Sequence, residues 1–356
     1  MEQHHQLIVF FIFSGIMVVA DASTLVPGIM TFGDSSVDVG NNNDLRQARF
    51  KANYWPYGKD FSGPTQSPSG RFSNGMLASD FTAQNLGFKK SPQAYLSKSY
   101  TRQSLLIGAN FASAGSGYYN MTSLRYNAIP LSKQLDYFKD YSSKLVKFVG
   151  KKKAMSILTE SLYVISTGDG DYLQNYYINP NLRRKFTVNQ YSSLLVDSFS
   201  SFVRDLYFQG ARMVAVTSLP PMGCLPAAIN HYGGRNQTGC IGKMNRDALG
   251  FNNKLRKSIG LLGKELRGMR IAMMNIYTPL MELSKNPTKH GFIDGKKGCC
   301  GTGTSETTVL CKPNMPAEKI CSDARKYVFW DGVHPSEAAN KFISNAVLLD
   351  GISLML

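Results

Sequence analysis

Two polar stretches at opposite ends of the chain have the residue types for hydroxyl chemistry. In "MTFGDSSVDVGNNN", residues 30–43, an apolar run over residues 25–32 breaks at Gly33, Asp34, Ser35 and Ser36. The break places a hydroxyl at the end of a buried strand, where open α/β sheets bind their ligands. A serine there becomes a nucleophile only beside a base. "FWDGVHPSEAAN", residues 329–340, offers one: Asp331 and His334 stand three apart, ahead of a helix that Pro335 and Ser336 are suited to open. A carboxylate at that spacing can accept the imidazole Nδ1–H, fixing the tautomer and turning Nε2 outward. His231 and His290 are the other histidines beyond residue 5, and neither has a carboxylate at this spacing. Alone, each stretch reads first as a turn or a cap. Their order, Ser…Asp…His, makes them a candidate triad.

Five apolar segments must position these groups: residues 25–32, 105–111, 162–166, 213–219 and 271–276. Amphipathic stretches with helical spacing lie between and after them, at 76–86, 131–149, 191–208, 245–266 and 336–348. Strands alternating with helices predict βαβ units and a mainly parallel five-stranded sheet covered on both faces, a three-layer α/β/α architecture. Residues 44–72 and 285–325 read as long irregular loops, of the kind that carry substrate contacts. Tyr54, Trp55 and Tyr57 in the first either line a substrate groove or anchor that loop to the sheet.

Residues 1–22 have the pattern of a secretory signal peptide: a short apolar run, then Ala20-Asp21-Ala22 as a small-x-small cleavage site. No linker, repeat or composition shift follows, so residues 23–356 read as a single domain. Six cysteines, all beyond residue 22, suit an oxidising compartment; Cys224 with Cys240, and a cluster from Cys299 to Cys321, are natural loop closures. Asn120 and Asn236 begin N-glycosylation sequons. Without residues 1–22 the chain has 40 basic against 22 acidic side chains, a net +18. That charge reads either as attraction to an acidic extracellular matrix or as a solvated basic surface. No nucleic-acid recognition motif accompanies it, and no later apolar run approaches membrane length.

Taken with "NYWPYG", "PSGRFSNG", "GANFASAGSG", "QLDYF", "SLPPMGCLP" and "FNNKL", the two terminal stretches resemble the plant-type GDSL esterase/lipase family of the SGNH hydrolases, from about Pro27 to the C-terminal helix. The resemblance implies a flavodoxin-like fold, Ser35 as nucleophile, His334 as base and Asp331 as its orienting partner. It implies ester substrates, either lipids or acylated wall polymers, and neither a metal nor an organic cofactor. It also implies an oxyanion hole made from the Ser35 N–H, a glycine N–H at Gly115 and an asparagine side chain. The asparagine block, normally Gly-x-Asn-Asp, here reads "STGDGDYLQNYY", so Gly170 occupies the asparagine position without a side-chain donor. Losing one such donor costs on the order of 10²–10³ in rate. Asn175 is the nearby amide in sequence, and an ionised Asp169 would repel an oxyanion. The expectation is therefore a secreted serine esterase of reduced activity; a silent extracellular binding protein and an acyltransferase are the alternatives.

Overall fold

The computed structural model describes residues 24–61, 68–234, 239–301, 311–352 and 354; the expected signal peptide and Asn236 lie outside them. The main sheet contains β1 (Ile29–Gly33), β2 (Gly108–Asn110), β3 (Leu162–Ser166), β4 (Met213–Thr217) and β5 (Arg270–Met274). All four pairings are parallel and the order is β2-β1-β3-β4-β5, the doubly wound flavodoxin-like arrangement. Ile29 pairs with Leu162 and Gly33 with Ser166, which aligns the C-terminal ends of β1 and β3.

Side chains alternate across the sheet. Met30, Phe32, Tyr163, Ile165, Val214 and Val216 enter the larger core, beneath α2 (Leu131–Val149), α3 (Val188–Phe208) and α4 (Gly242–Glu265). On α2 the buried residues Leu131, Gln134, Leu135, Phe138, Tyr141 and Leu145 recur at helical spacing, one stripe facing the sheet. The opposite face is more thinly covered, by α1 (Ala78–Asn85), α5 (Glu337–Ala346) and α6 (Leu348–Ile352), with Ile29, Leu162, Met213, Ala215 and Met274 beneath.

Two regions depart from expectation. Lys151–Glu160, beginning in three lysines, is a helix. The segment at 285–325 contains β6 (Asp294–Gly298), parallel to β7 (Tyr327–Phe329) in a second small sheet. "DGKKG" has no β-branched or aromatic residue, so pairing with β7 rather than propensity makes it a strand. Disulfides join Cys224 to Cys240, Cys299 to Cys321 and Cys300 to Cys311, and the latter two cross-link this segment to itself.

Gly33 closes β1 at φ +143°, where a Cβ would lie 1.9 Å from the Ser166 carbonyl oxygen. Its N–H donates to Gln134 Oε1 at 2.9 Å, and its carbonyl accepts from Gln134 Nε2 at 2.9 Å. The fully buried Gln134 also donates to the Ile129 carbonyl and Ser116 Oγ, tying three loops together. Gln134→Leu leaves the Gly33 N–H buried without an acceptor, and we expect the unfolding free energy to fall by about 1–3 kcal/mol. Denaturant titration checks this; an unchanged midpoint and slope would contradict it.

Candidate active site

The turn after β1 is built from its own polar residues. The Asp34 N–H donates to the Ser166 carbonyl at 3.1 Å, continuing the sheet pairing by one residue. Asp34 Oδ1 accepts from the Ser36 N–H at 2.9 Å and from Ser36 Oγ at 2.8 Å. Ser36 Oγ in turn lies 2.9 Å from Ser166 Oγ, which accepts from Thr217. Ser36 is thereby committed to the sheet edge, and Ser35 is left half-buried at the strand end.

β7 delivers the second component. Beyond it the chain folds back, with the Trp330 N–H donating to the His334 carbonyl at 2.8 Å. Asp331 Oδ1 accepts the Val333 and His334 N–H groups at 2.9 and 2.8 Å. His334 Nδ1 lies 2.9 and 2.8 Å from the two Asp331 oxygens, and Nε2 lies 2.8 Å from Ser35 Oγ. An ionised carboxylate only accepts, so Nδ1 carries the proton and the Nε2 lone pair faces the hydroxyl. Both Asp331 and His334 are buried, and the Phe72 ring packs 5.1 Å from the imidazole.

Tyr57 completes the chain of contacts. Fully buried, it donates its hydroxyl to Asp331 Oδ2 at 2.7 Å and accepts the Cys311 N–H at 3.1 Å. Tyr54 donates to the Cys311 carbonyl at 2.8 Å, whereas Trp55 is exposed. Tyr54 and Tyr57 thus anchor their loop, but to Asp331 and the Cys311 backbone rather than to the main sheet. Burial, then the Asp331 charge, pushes the Tyr57 hydroxyl far above its usual range, so it stays a donor.

The remaining "SVDVGNNN" residues brace the loop carrying Gly115. Asp38 Oδ1 accepts the Gly40 and Asn41 N–H groups, and Oδ2 accepts the Ala114 N–H at 2.9 Å. Asn41 donates to the carbonyls of Asn110 and Ala112, and Asn42 to those of Phe50 and Ala114. Gly115 adopts φ +89°, and a Cβ there would meet the Phe50 ring at 2.8 Å. Among the described residues, neither the Ser35 nor the Gly115 N–H has a protein acceptor.

Gly170 sits in the short helical turn Asp169–Asp171. A Cβ there would contact Gln174 Oε1 at 3.4 Å and the Ser116 carbonyl oxygen at 3.6 Å, ordinary distances that leave room for a side chain. Asn175 is not a substitute: its amide donates to Thr122 Oγ1 at 2.9 Å, and Thr122 donates to Asp171 Oδ1 at 2.6 Å. Asp171 also accepts the Tyr118 N–H at 2.8 Å, and burial outweighs these donors to push its pKa up to about 7. Asp169 accepts the Gly170 N–H at 2.9 Å. Burial first, then the charge and hydrogen bond of the adjoining Asp34, raises the Asp169 pKa well above the carboxylate range. The ionised form of Asp169, from which repulsion is expected, is thereby disfavoured. Of the glycosylation sequons, Asn120 is exposed while Thr122 is buried.

Sequence reading missed Tyr57 as a partner of Asp331, and Asp38, Asn41 and Asn42 as a brace; a dense run of Asp and Asn behind a strand was the available signal.

Residues 29–347 match the family model of the GDSL-like lipase/acylhydrolases. The chain is 50% identical to GDSL esterase/lipase At5g22810 of Arabidopsis thaliana, over 96% of this chain and 93% of that protein. It is 51% identical to GDSL esterase/lipase APG of the same plant, over 93% and 92%. The chain belongs to the GDSL lipase/acylhydrolase family, and within it to the esterase/lipases that hydrolyse carboxylic esters.

Two tests follow from this geometry. Tyr57→Phe keeps the ring and removes the donor to Asp331; we expect kcat for a soluble ester to fall about tenfold with KM little changed, as a hydrogen bond to a charged group is worth about 1.5–3 kcal/mol. Unchanged kcat, or a loss confined to KM, would count against positioning. For Asp169, the folded chain holds a proton that the unfolded chain releases above about pH 4, so stability is lost as pH rises toward the elevated folded value. In Asp169→Asn the amide oxygen can still accept from Gly170 and the amide nitrogen can donate to Asp34. Its stability advantage over the parent should therefore grow between pH 5 and pH 8 in denaturant titrations; a constant or shrinking difference would contradict the sign.

Proposed function

We propose that this chain is a secreted serine esterase that works through an acyl-enzyme on Ser35. The observation that carries the reading is the continuous chain of hydrogen bonds from Tyr57 through Asp331 and His334 to Ser35. As Ser35 Oγ attacks the ester carbonyl carbon, His334 Nε2 takes its proton, and Asp331 stabilises the imidazolium through Nδ1–H. The free N–H groups of Ser35 and Gly115 donate to the developing oxyanion. His334 then protonates the leaving alkoxide, and the alcohol departs. Water, deprotonated at Nε2, attacks the acyl-enzyme; collapse of the second oxyanion returns the proton to Ser35 and frees the acid.

Export is supported by the signal-like residues 1–22, three disulfides and the exposed Asn120. No helix among the described residues is long and apolar enough to cross a membrane. The net charge of +18 without residues 1–22 suits retention on an acidic matrix.

Gly170 favours a second reading, a binding protein that keeps the triad without useful turnover; transfer of the acyl group to an alcohol instead of water is a third outcome of the same acyl-enzyme. Hydrolysis of p-nitrophenyl butyrate separates them. Turnover should fall at least 10³-fold in Ser35→Ala. It should rise more than tenfold in Gly170→Asn, the equivalent of about 1.4 kcal/mol of transition-state stabilisation. Equal rates for the parent and Ser35→Ala would defeat the assignment.

A further inference from the structure

The thinly covered face of the main sheet is not close-packed. One continuous cavity of about 290 Å³ begins at Ser35 and His334 and runs between the sheet and the helices above it. Protein interiors hold few voids larger than a water molecule, so a space of this size opening on the nucleophile calls for an occupant. Its floor is the alternating face of the strands: Ser166, Val164 and Leu162 along β3, with Thr217 and Ala215 on β4 and Met274 on β5. Its roof is α1 and α5, where Ala78 and Thr82, one turn apart, and Ser344 present small side chains. Thr82 Oγ1 and Ser344 Oγ lie 3.3 Å apart and clip the two helices together.

The lining changes character with depth. Near Ser35 it is mixed: Ser36, Ser166 and Thr217 bond to one another, the carboxyls of Asp34 and Asp169 adjoin them, and Val37, Leu219 and Val333 complete the mouth. Farther in, Leu162, Val164, Leu86, Ile343 and Val347 make it apolar. From Ser166 to Leu162 the strand advances four residues, a depth of roughly 13 Å. An extended chain advances about 1.3 Å per bond, so that depth corresponds to about ten bonds.

We propose that this cavity is an acyl-chain subsite, and that the preferred substrates are esters of unbranched acids of about eight to ten carbons. The proposal rests on Ser35 carrying the acyl group. The carbonyl sits at the mouth, and the hydrocarbon tail lies along β3 toward Leu162. An acetyl group fills only the mouth, so an acetylated polymer would leave the deeper apolar part, between Val164 and Leu162, empty.

The test is a series of p-nitrophenyl esters from acetate to hexadecanoate, read as kcat/KM with the Ser35→Ala variant alongside. We expect an increase of about fourfold for each methylene buried over the first several carbons, with a maximum near eight to ten and a decline beyond. Ser35-dependent hydrolysis that is flat with chain length, or highest for acetate, would overturn the subsite and leave the catalytic reading standing. Hydrolysis that persists in Ser35→Ala would defeat the catalytic reading and the subsite with it. Ala215→Phe, which places a ring in the cavity from the sheet side, should lower the ratio of decanoate to acetate kcat/KM at least tenfold. Should that variant fail to fold, a structure of the unmutated protein inhibited by a decyl fluorophosphonate decides: a chain lying along β3 supports the subsite, and a chain on the outer surface overturns it.

Discussion

A hydroxyl and an imidazole 299 residues apart in the chain must be held within one hydrogen bond of each other. Much of the molecule can be understood as the means of meeting that constraint. Ser35 is fixed because β1 sits inside the parallel sheet and its last residue is clamped by Gln134 on α2. His334 is fixed because Asp331 is saturated with donors, two backbone N–H groups on one oxygen and the Tyr57 hydroxyl on the other. Neither clamp is local. Gln134 reaches across 101 residues and Tyr57 across 274, so the site is assembled only when the whole domain is.

The electrostatics divide the site in two. On the Asp331 side, a buried carboxylate is surrounded by donors and can balance a developing imidazolium. On the Asp169 side, two carboxyls adjoin each other, and burial together with the Asp34 charge raises the Asp169 pKa, disfavouring its ionised form. If the oxyanion forms beside Gly170, as proposed, a neutral Asp169 spares it a repulsion that the absence of a side-chain donor at Gly170 would make costlier.

The fold was largely legible in the sequence because buried parallel strands are nearly continuous apolar runs and their covering helices are amphipathic. Residues 131–149 and 162–166 have the bounds that periodicity predicts. Terminal motifs singled out Ser35, Asp331 and His334, which the structure brings together, because the spacing within each motif is local. What stayed hidden depends on partners distant in sequence. β6 is a strand only because β7 lies beside it. Tyr57 looked equally like a groove aromatic until its hydroxyl was seen on Asp331. Asp38, Asn41 and Asn42 satisfy backbone groups of a loop some seventy residues away; their dense run hints at a brace but not at which backbone groups it holds. The cavity under α1 and α5 was invisible for the same reason: its lining comes from many segments distant in sequence.

The central claim is that Ser35 becomes covalently acylated during turnover. Rapid acid quench of the protein mixed with excess p-nitrophenyl butyrate, followed by peptide mapping by mass spectrometry, addresses it directly. The account predicts a butyryl group on the peptide containing Ser35 that forms and decays at rates compatible with turnover. Ester hydrolysis with the acyl group on another residue, or with no adduct at any quench time while the alcohol is released in a burst, would contradict it.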